Sequence, residues 1–179
     1  MEKVLDFVRN VISKRIKNSD ICVDATCGRG NDTLFLAKTS KKVYAFDIQK
    51  EAINASKELL KDFENVIFIN DSHENVFEYV TEDINIAMFN LGYLPKGDKS
   101  ITTKSSSTIN SIDAILKRLA VNGIVSVVCY PGHQEGYIES KELLEYLREI
   151  NQKDYDIIRY DFINQINNPP FALIIERVR

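Results

Sequence analysis

The chain is poor in most of the features that mark special protein classes. Only seven of its 179 residues are glycine and four are proline, which excludes collagen-like and low-complexity disordered architectures. No apolar run approaches the roughly 18 residues that would read as a membrane span. The opening MEKVLDFVRNVISKRIKNSD alternates charged with apolar side chains, unlike a secretory leader, so a cytoplasmic protein is expected. The three cysteines, Cys22, Cys27 and Cys129, are odd in number, lack C-x-x-C spacing and sit in or beside apolar runs. They read as buried structural thiols rather than a disulfide framework or a zinc site. The two histidines, His73 and His133, have no carboxylate or cysteine cluster at ligand spacing, so no metal is expected. Nor is there an excess of positive charge: 23 basic against 26 acidic residues give −3. The whole-molecule field is not that of a nucleic-acid binder, although a local basic patch stays open.

What is present is an ordinary globular composition, 44% hydrophobic and 27% charged, in a length suited to one domain, residues 1–179. Residues 2–17 place Val4, Val8, Val11, Ile12 and Ile16 at helical spacing. From there β-branched runs at 21–25, 42–47, 65–70, 85–90 and 123–130 alternate with helix-like segments near 32–39, 49–62, 73–80, 107–120 and 137–150. That alternation predicts βαβ units, hence an α/β fold with a mostly parallel sheet covered by helices on both faces. The tail differs. Runs at 156–164 and 171–179 are joined by 165–170 with no room for a crossover helix, so they should pair as an antiparallel hairpin. One long irregular stretch, from Leu91 to about Ser106, is of the kind that is usually functional or disordered in compact domains.

Chemistry-bearing residues fall at the strand ends. After the first strand comes Asp24-Ala-Thr26-Cys-Gly28-Arg-Gly30-Asn31-Asp32-Thr33, a D-x-x-x-G-x-G turn into a helix. The glycines allow positive φ and close approach of a ligand to the backbone. Thr33 occupies the third glycine position of a dinucleotide fingerprint, and no Gly-Lys-Ser/Thr ending makes this a P-loop. The second strand ends in Asp47-Ile48, where a carboxylate can accept a ribose diol and an aliphatic side chain can lie on an adenine. The third ends in Asn70-Asp71-Ser72-His73, polar groups suited to an adenine edge. Each aspartate alone could be a turn or helix cap; caps do not account for the spacing of the set.

The fourth strand ends in Asn90-Leu91-Gly92-Tyr93-Leu94-Pro95. An amide at the strand tip followed by an aromatic can hold an amine and stack a base. Asn168-Pro169-Pro170-Phe171 resembles the N-P-P-F/Y motif of amine-directed methyltransferases, but it follows the sixth strand and reads as a hairpin turn. His133, in Tyr130-Pro-Gly-His133, follows the fifth strand and is either a substrate contact or a loop brace.

Taken together, D-A-T-x-G-x-G-x-D-T, F-D-I-Q, D-S-H-E, F-N-L-G-Y-L-P-K-G-D-K, Y-x-G-H and N-Q-I-N-N-P-P resemble the small bacterial methyltransferases of the YtqB/MnmM family, filed as rRNA methylases. The resemblance runs from about residue 20 to 176. It implies a Rossmann-like class I methyltransferase fold with a seven-stranded sheet whose last strand is antiparallel. It also implies S-adenosylmethionine as cofactor, and N-methylation of the 5-aminomethyl group of wobble 2-thiouridine in tRNA. By carry-over, Asp24, Thr26, Gly28, Gly30, Asn31 and Asp32 surround the methionine end of that cofactor. Asp47 and Ile48 take its ribose and adenine, Asp71, Ser72 and His73 its adenine, and Asn90 with Tyr93 the transfer centre. Arg29 and Asn31 depart from the family pattern, which has Asn and His there.

The RNA side is expected to involve Leu91, Gly92, Lys96, Lys99, Lys104, Tyr130 and His133. Segment 91–118 and the N-terminal helix, with Lys3, Arg9, Lys14, Arg15 and Lys17, are each locally basic against a more acidic remainder. The implied partner is RNA, a tRNA anticodon stem-loop, and a homodimer is one way for so small a domain to widen its surface. Methylation of rRNA or of a small amine would use the same fold. From other classes, a non-catalytic nucleotide-binding protein and an NAD-dependent oxidoreductase remain open at this point.

Overall fold

In the computed structural model, the described residues are 1–92 and 105–179. Tyr93, Lys96, Lys99 and Lys104 lie outside them. Strands β1 (Ile21–Asp24), β2 (Lys42–Phe46), β3 (Val66–Ile69), β4 (Ile84–Asn90), β5 (Leu119–Cys129), β6 (Tyr155–Tyr160) and β7 (Phe171–Arg177) form one sheet in the order β3-β2-β1-β4-β5-β7-β6. The first five are parallel, and β7 runs antiparallel to both β5 and β6. The expected tail hairpin is present, with β7 slotted inside the sheet and β6 left at the edge.

Strand alternation sorts the apolar side chains onto two faces. Ile21 and Val23 of β1 join the core under α4 (Val76–Tyr79), α5 (Ser105–Arg118) and α6 (Gln134–Arg148). Cys22 between them joins the opposite core under α1 (Val4–Ser13) and α2 (Asn31–Ala37), which Leu60, capping α3 (Lys50–Leu59), also enters. Helix α1 docks through Val4, Val8 and Ile12, and Phe7 stacks on Tyr160 with ring centroids 4.0 Å apart. All three cysteines are free and buried, and burial pushes the Cys22 and Cys129 thiols up to about 12. Among the described residues no helix is long and apolar enough to cross a membrane.

The element bounds depart from the sequence expectation where side chains intervene. The N-terminal helix stops at Ser13 rather than at 17, because residues 14–20 turn back and Asp20 accepts the Lys17 N–H. Segment 73–80 divides into a 3-10 turn, His73–Asn75, capped by Ser72, and the single turn of α4. Helix α6 begins three residues early because the His133 imidazole accepts the Gly136 N–H at 3.1 Å and caps it. Strand β5 begins at Leu119, with left-handed Asn122 absorbing a register shift against β4.

Candidate active site at the carboxyl edge of the sheet

The ends of β1, β2 and β4 converge on the loop between Asp24 and α2. Thr26 ties two of them: its N–H donates to Asp24 at 3.2 Å, and its hydroxyl accepts the Asn90 N–H at 2.7 Å. Gly28 and Gly30 have φ of +51° and +86°. The Gly28 N–H donates to Asp47 at 2.9 Å, and the Gly28 carbonyl accepts the Ser56 hydroxyl, so the turn is bolted to β2 and α3. A second Asp47 oxygen accepts the Gln49 N–H at 2.9 Å. Each carboxylate oxygen keeps a lone-pair direction for a diol. Beside it Ile48 is 57% exposed, an apolar surface next to an acid. Asn70 stays local, bracing the Asp47 and Ile48 carbonyls.

Asp24 is buried and accepts the Thr33 hydroxyl at 2.6 Å. Burial pushes its carboxyl up to about 7, with Asp32 alongside adding to the shift. The sign follows. Because the folded value lies above the ordinary carboxyl value, this group favours the fold fully below about pH 4, and the contribution is lost as pH rises through 7. Urea unfolding should therefore show a more stable protein at pH 5 than at pH 8.5, by up to about 3 kcal/mol from this group. Asp24→Asn should remove most of that difference; an unchanged pH slope would refute the assignment.

Asn90 stands at the tip of β4, and its side-chain NH2 donates to Asp32 at 3.3 Å. The other Asp32 oxygen pairs with Arg9 of α1 at 2.8 Å. Tyr130, after β5, is half-buried and lies 3.8 Å from the space a side chain at Gly92 would fill. Its phenol is pushed up by burial and then by Asp32.

The structure thus brings together Asp24, Thr26, Gly28, Gly30, Asp32, Asp47, Ile48, Asn90, Gly92 and Tyr130. Asn31 is exposed at the start of α2. Other expected contacts are committed elsewhere. Leu91, read as a substrate contact, is a core side chain at 3% exposure, held by its N–H to the Val128 carbonyl. Asp71 accepts from Asn75, Tyr79 and the Ser72 N–H, of which Asn75 and then Tyr79 do most to bring its carboxyl below the usual range, so it braces the turn. The His73 Nδ1 lies 3.0 Å from the Ala25 carbonyl, its ring packs edge-on to Phe89, and its buried Nε2 has no partner among the described residues. Burial pushes its pKa down, which keeps it neutral. His133 is the loop brace, through its cap on α6.

Two placements correct the sequence reading. The Asn168-Pro169-Pro170 turn is not remote: β7 starts at the carboxyl edge, and Gly132 after β5 sits 3.7 Å from the carbonyls of Asn167 and Asn168, measured from its notional Cβ. Conversely, part of the expected basic rim is at the far edge. Lys117 and Arg118 end α5 just before β5 begins, at the amino edge, where Lys117 pairs with Asp113 and Arg118 bonds the Val80 carbonyl. Arg15 pairs with Glu176 near the end of antiparallel β7, also at that edge. Charge summed along a segment says nothing of which end of a helix it occupies. Arg9 and Thr33 are the site-supporting residues that the sequence did not mark as such.

The donor set suits S-adenosylmethionine. Acidic side chains at Asp24, Asp32 and Asp47 match a ligand bearing a sulfonium and an ammonium, and the left-handed glycine turn leaves the backbone bare beside them. Among the described residues no cluster of His, Cys, Asp and Glu could hold a metal ion. Residues 43–176 match the protein family described as "Putative rRNA methylase". The chloroplastic tRNA (mnm(5)s(2)U34)-methyltransferase of Arabidopsis thaliana is 33% identical over 192 residues, covering 98% of this chain and 70% of that one. Among solved structures, a "putative rRNA-methylase" from Clostridium thermocellum superposes with a TM-score of 0.96 at 39% identity, over 99% of this chain and 98% of that one. A "putative methyltransferase" from Streptococcus mutans in complex with SAH gives 0.94 at 36% identity, over 99% of both chains. The topology, the strand-end site and these likenesses agree: the chain belongs to the rRNA methylase family and is an S-adenosylmethionine-dependent methyltransferase of class I fold.

Proposed function

We propose that the protein methylates the 5-aminomethyl nitrogen of a wobble 2-thiouridine in tRNA. The observation that carries this reading is the 33% identity over 98% of the chain to a chloroplastic tRNA (mnm(5)s(2)U34)-methyltransferase. The chemistry at β4 supports it. On this reading Asp24, Thr26, Gly28, Gly30, Asn31 and Asp32 hold the methionine end of the cofactor. Asp47 and Ile48 hold its ribose and adenine, and the turn that Asp71 braces, carrying Ser72 and His73, borders the adenine.

When bound, S-adenosylmethionine supplies an electrophilic methyl group on a positively charged sulfur. The task left to the protein is to present a neutral, aimed amine. An alkylammonium titrates near the lysine value of about 10.4, so the site must favour the deprotonated form. Desolvation or a proton acceptor supplies that preference, and Asn90 supplies the aim: with its NH2 spent on Asp32, its carbonyl oxygen accepts an amine N–H and leaves the nitrogen lone pair directed away. No base need be held in the site once the proton has left to water, and most of the rate gain is then positional. Tyr93 stacks the target base. Lys96, Lys99 and Lys104 neutralise phosphates, and Gly92 and Tyr130 floor the acceptor side.

The test is nucleoside mass analysis of tRNA carrying 5-aminomethyl-2-thiouridine after incubation with S-adenosylmethionine and the protein. One added methyl group on that nucleoside is expected. Unchanged nucleoside in a competent pool, or methylation of rRNA supplied in parallel, would sink the tRNA assignment. Phosphate contacts predict that stem-loop affinity falls steeply between low and moderate salt.

A further inference from the structure

We infer that Arg9 is a positioning residue for methyl transfer, acting through Asp32 to fix the amide of Asn90. The inference rests on the reading of Asn90 as the group that aims the amine. Three elements distant in sequence meet in one chain of contacts. The Arg9 guanidinium on α1 donates to one Asp32 oxygen at 2.8 Å, and the other Asp32 oxygen accepts the Asn90 NH2 at 3.3 Å. Asp32 is thereby held from one side and holds from the other. An asparagine amide has two faces that differ only in which end donates. Anchoring the NH2 on a carboxylate sets the carbonyl as the end offered to a substrate N–H.

Asp32 would not keep that role unaided. It is 8% exposed and shares its pocket with buried Asp24, and among the described residues Tyr130 also faces it. Two carboxylates this close, both out of water, repel one another, which favours outward rotation of Asp32. The Arg9 cation opposes that rotation, and it is held in place over the Phe35 ring at 5.9 Å. The fixing is selective. Arg9 Nε is buried with no partner among the described residues, so the side chain sits where Asp32 needs it rather than where all of its own donors are met. The docking of α1 does not depend on it, because Val4, Val8 and Ile12 bury the helix and Phe7 stacks on Tyr160. The N-terminal helix therefore sets the geometry of the transfer centre, besides covering one face of the sheet.

The test compares Arg9→Gln, Arg9→Lys and Asp32→Asn in the full chain. Its first readout needs no RNA: the side-chain amide resonances of Asn90 in heteronuclear NMR with SAH bound, assigned through Asn90→Asp. They should move in Arg9→Gln and Asp32→Asn and stay near the wild-type position in Arg9→Lys. The second is methyl transfer. Arg9→Gln should lower kcat about tenfold or more with KM for RNA and Kd for SAH within about threefold of wild type, and Arg9→Lys should recover part of the loss. The Arg9→Gln and Asp32→Asn losses should be strongly non-additive in the double variant. Unmoved Asn90 resonances in Arg9→Gln, or a kcat within about twofold of wild type, would overturn the inference. Should Arg9→Gln unfold, the Arg9→Lys and Asp32→Asn comparison decides in the same way. If wild-type protein leaves the tRNA nucleoside unmethylated, the acceptor reading fails while the amide resonances still report on the Arg9–Asp32–Asn90 chain.

Discussion

Replacing Asn90 by alanine should lower kcat by about 10²–10³ while leaving the Kd for SAH within about threefold of wild type. The separation follows from where the residue is tied. Its backbone N–H bonds to the Thr26 hydroxyl at 2.7 Å, and that bond survives truncation of the side chain, so the Asp24–Gly30 turn keeps its support from β4. What is lost is the NH2 anchored on Asp32 and, on the proposed function, the side-chain carbonyl that aims the amine. An amine left unaimed spends most encounters with its lone pair off the line of attack. Orientation of this kind is among the larger sources of enzymatic rate. Single-turnover methyl transfer with saturating cofactor measures the chemical step directly, and calorimetry with SAH measures the site. Near-wild-type kcat at unchanged SAH affinity would remove Asn90 from the reaction. A parallel collapse of SAH affinity would make it a structural support of the turn.

Much of this arrangement is legible in the sequence because it is local. The D-x-x-x-G-x-G spacing, the acid ending β2 and the asparagine ending β4 each sit next to a β-branched run, and parallel strands deliver such ends to one edge of the sheet. The alternation of Ile21, Cys22 and Val23 between two cores is likewise a property of a few consecutive residues. What the sequence conceals is commitment at a distance. Asp71 has the residue type and position of an adenine contact, yet Asn75 and Tyr79, four and eight residues on, take up its carboxylate. Arg9 looks like one of several cations on an amphipathic helix, and only the docking angle of α1 sets it against Asp32, 23 positions later. Lys117 and Arg118 leave the expected rim for the same reason: they are close in sequence to the irregular segment after β4, but a 14-residue helix carries them to the far edge of the sheet.

Gly30→Val should be the most damaging single change in the site, destabilising the fold by about 2–5 kcal/mol and lowering SAH affinity about tenfold or more. Two independent constraints act at this position. With φ at +86° the backbone lies in a region where an L side chain costs about 1–2 kcal/mol, and a β-branched one more. In addition a Cβ would lie 2.9 Å from Leu60 Cδ1, 3.0 Å from Ser56 Oγ and 3.2 Å from Ser56 Cα. The leucine methyl can swing away, but the Ser56 Cα belongs to α3 and cannot move alone. The turn must then shift outward, and it carries with it the Gly28 N–H that fixes Asp47. Urea unfolding and SAH calorimetry read the two effects separately. Gly30→Ala combined with Leu60→Ala tells the constraints apart: it relieves the leucine contact and leaves φ and the Ser56 backbone as they were. Binding should stay impaired in that double variant. Full recovery of SAH affinity would mean that only the Leu60 side chain, and not the left-handed turn, demands glycine at residue 30.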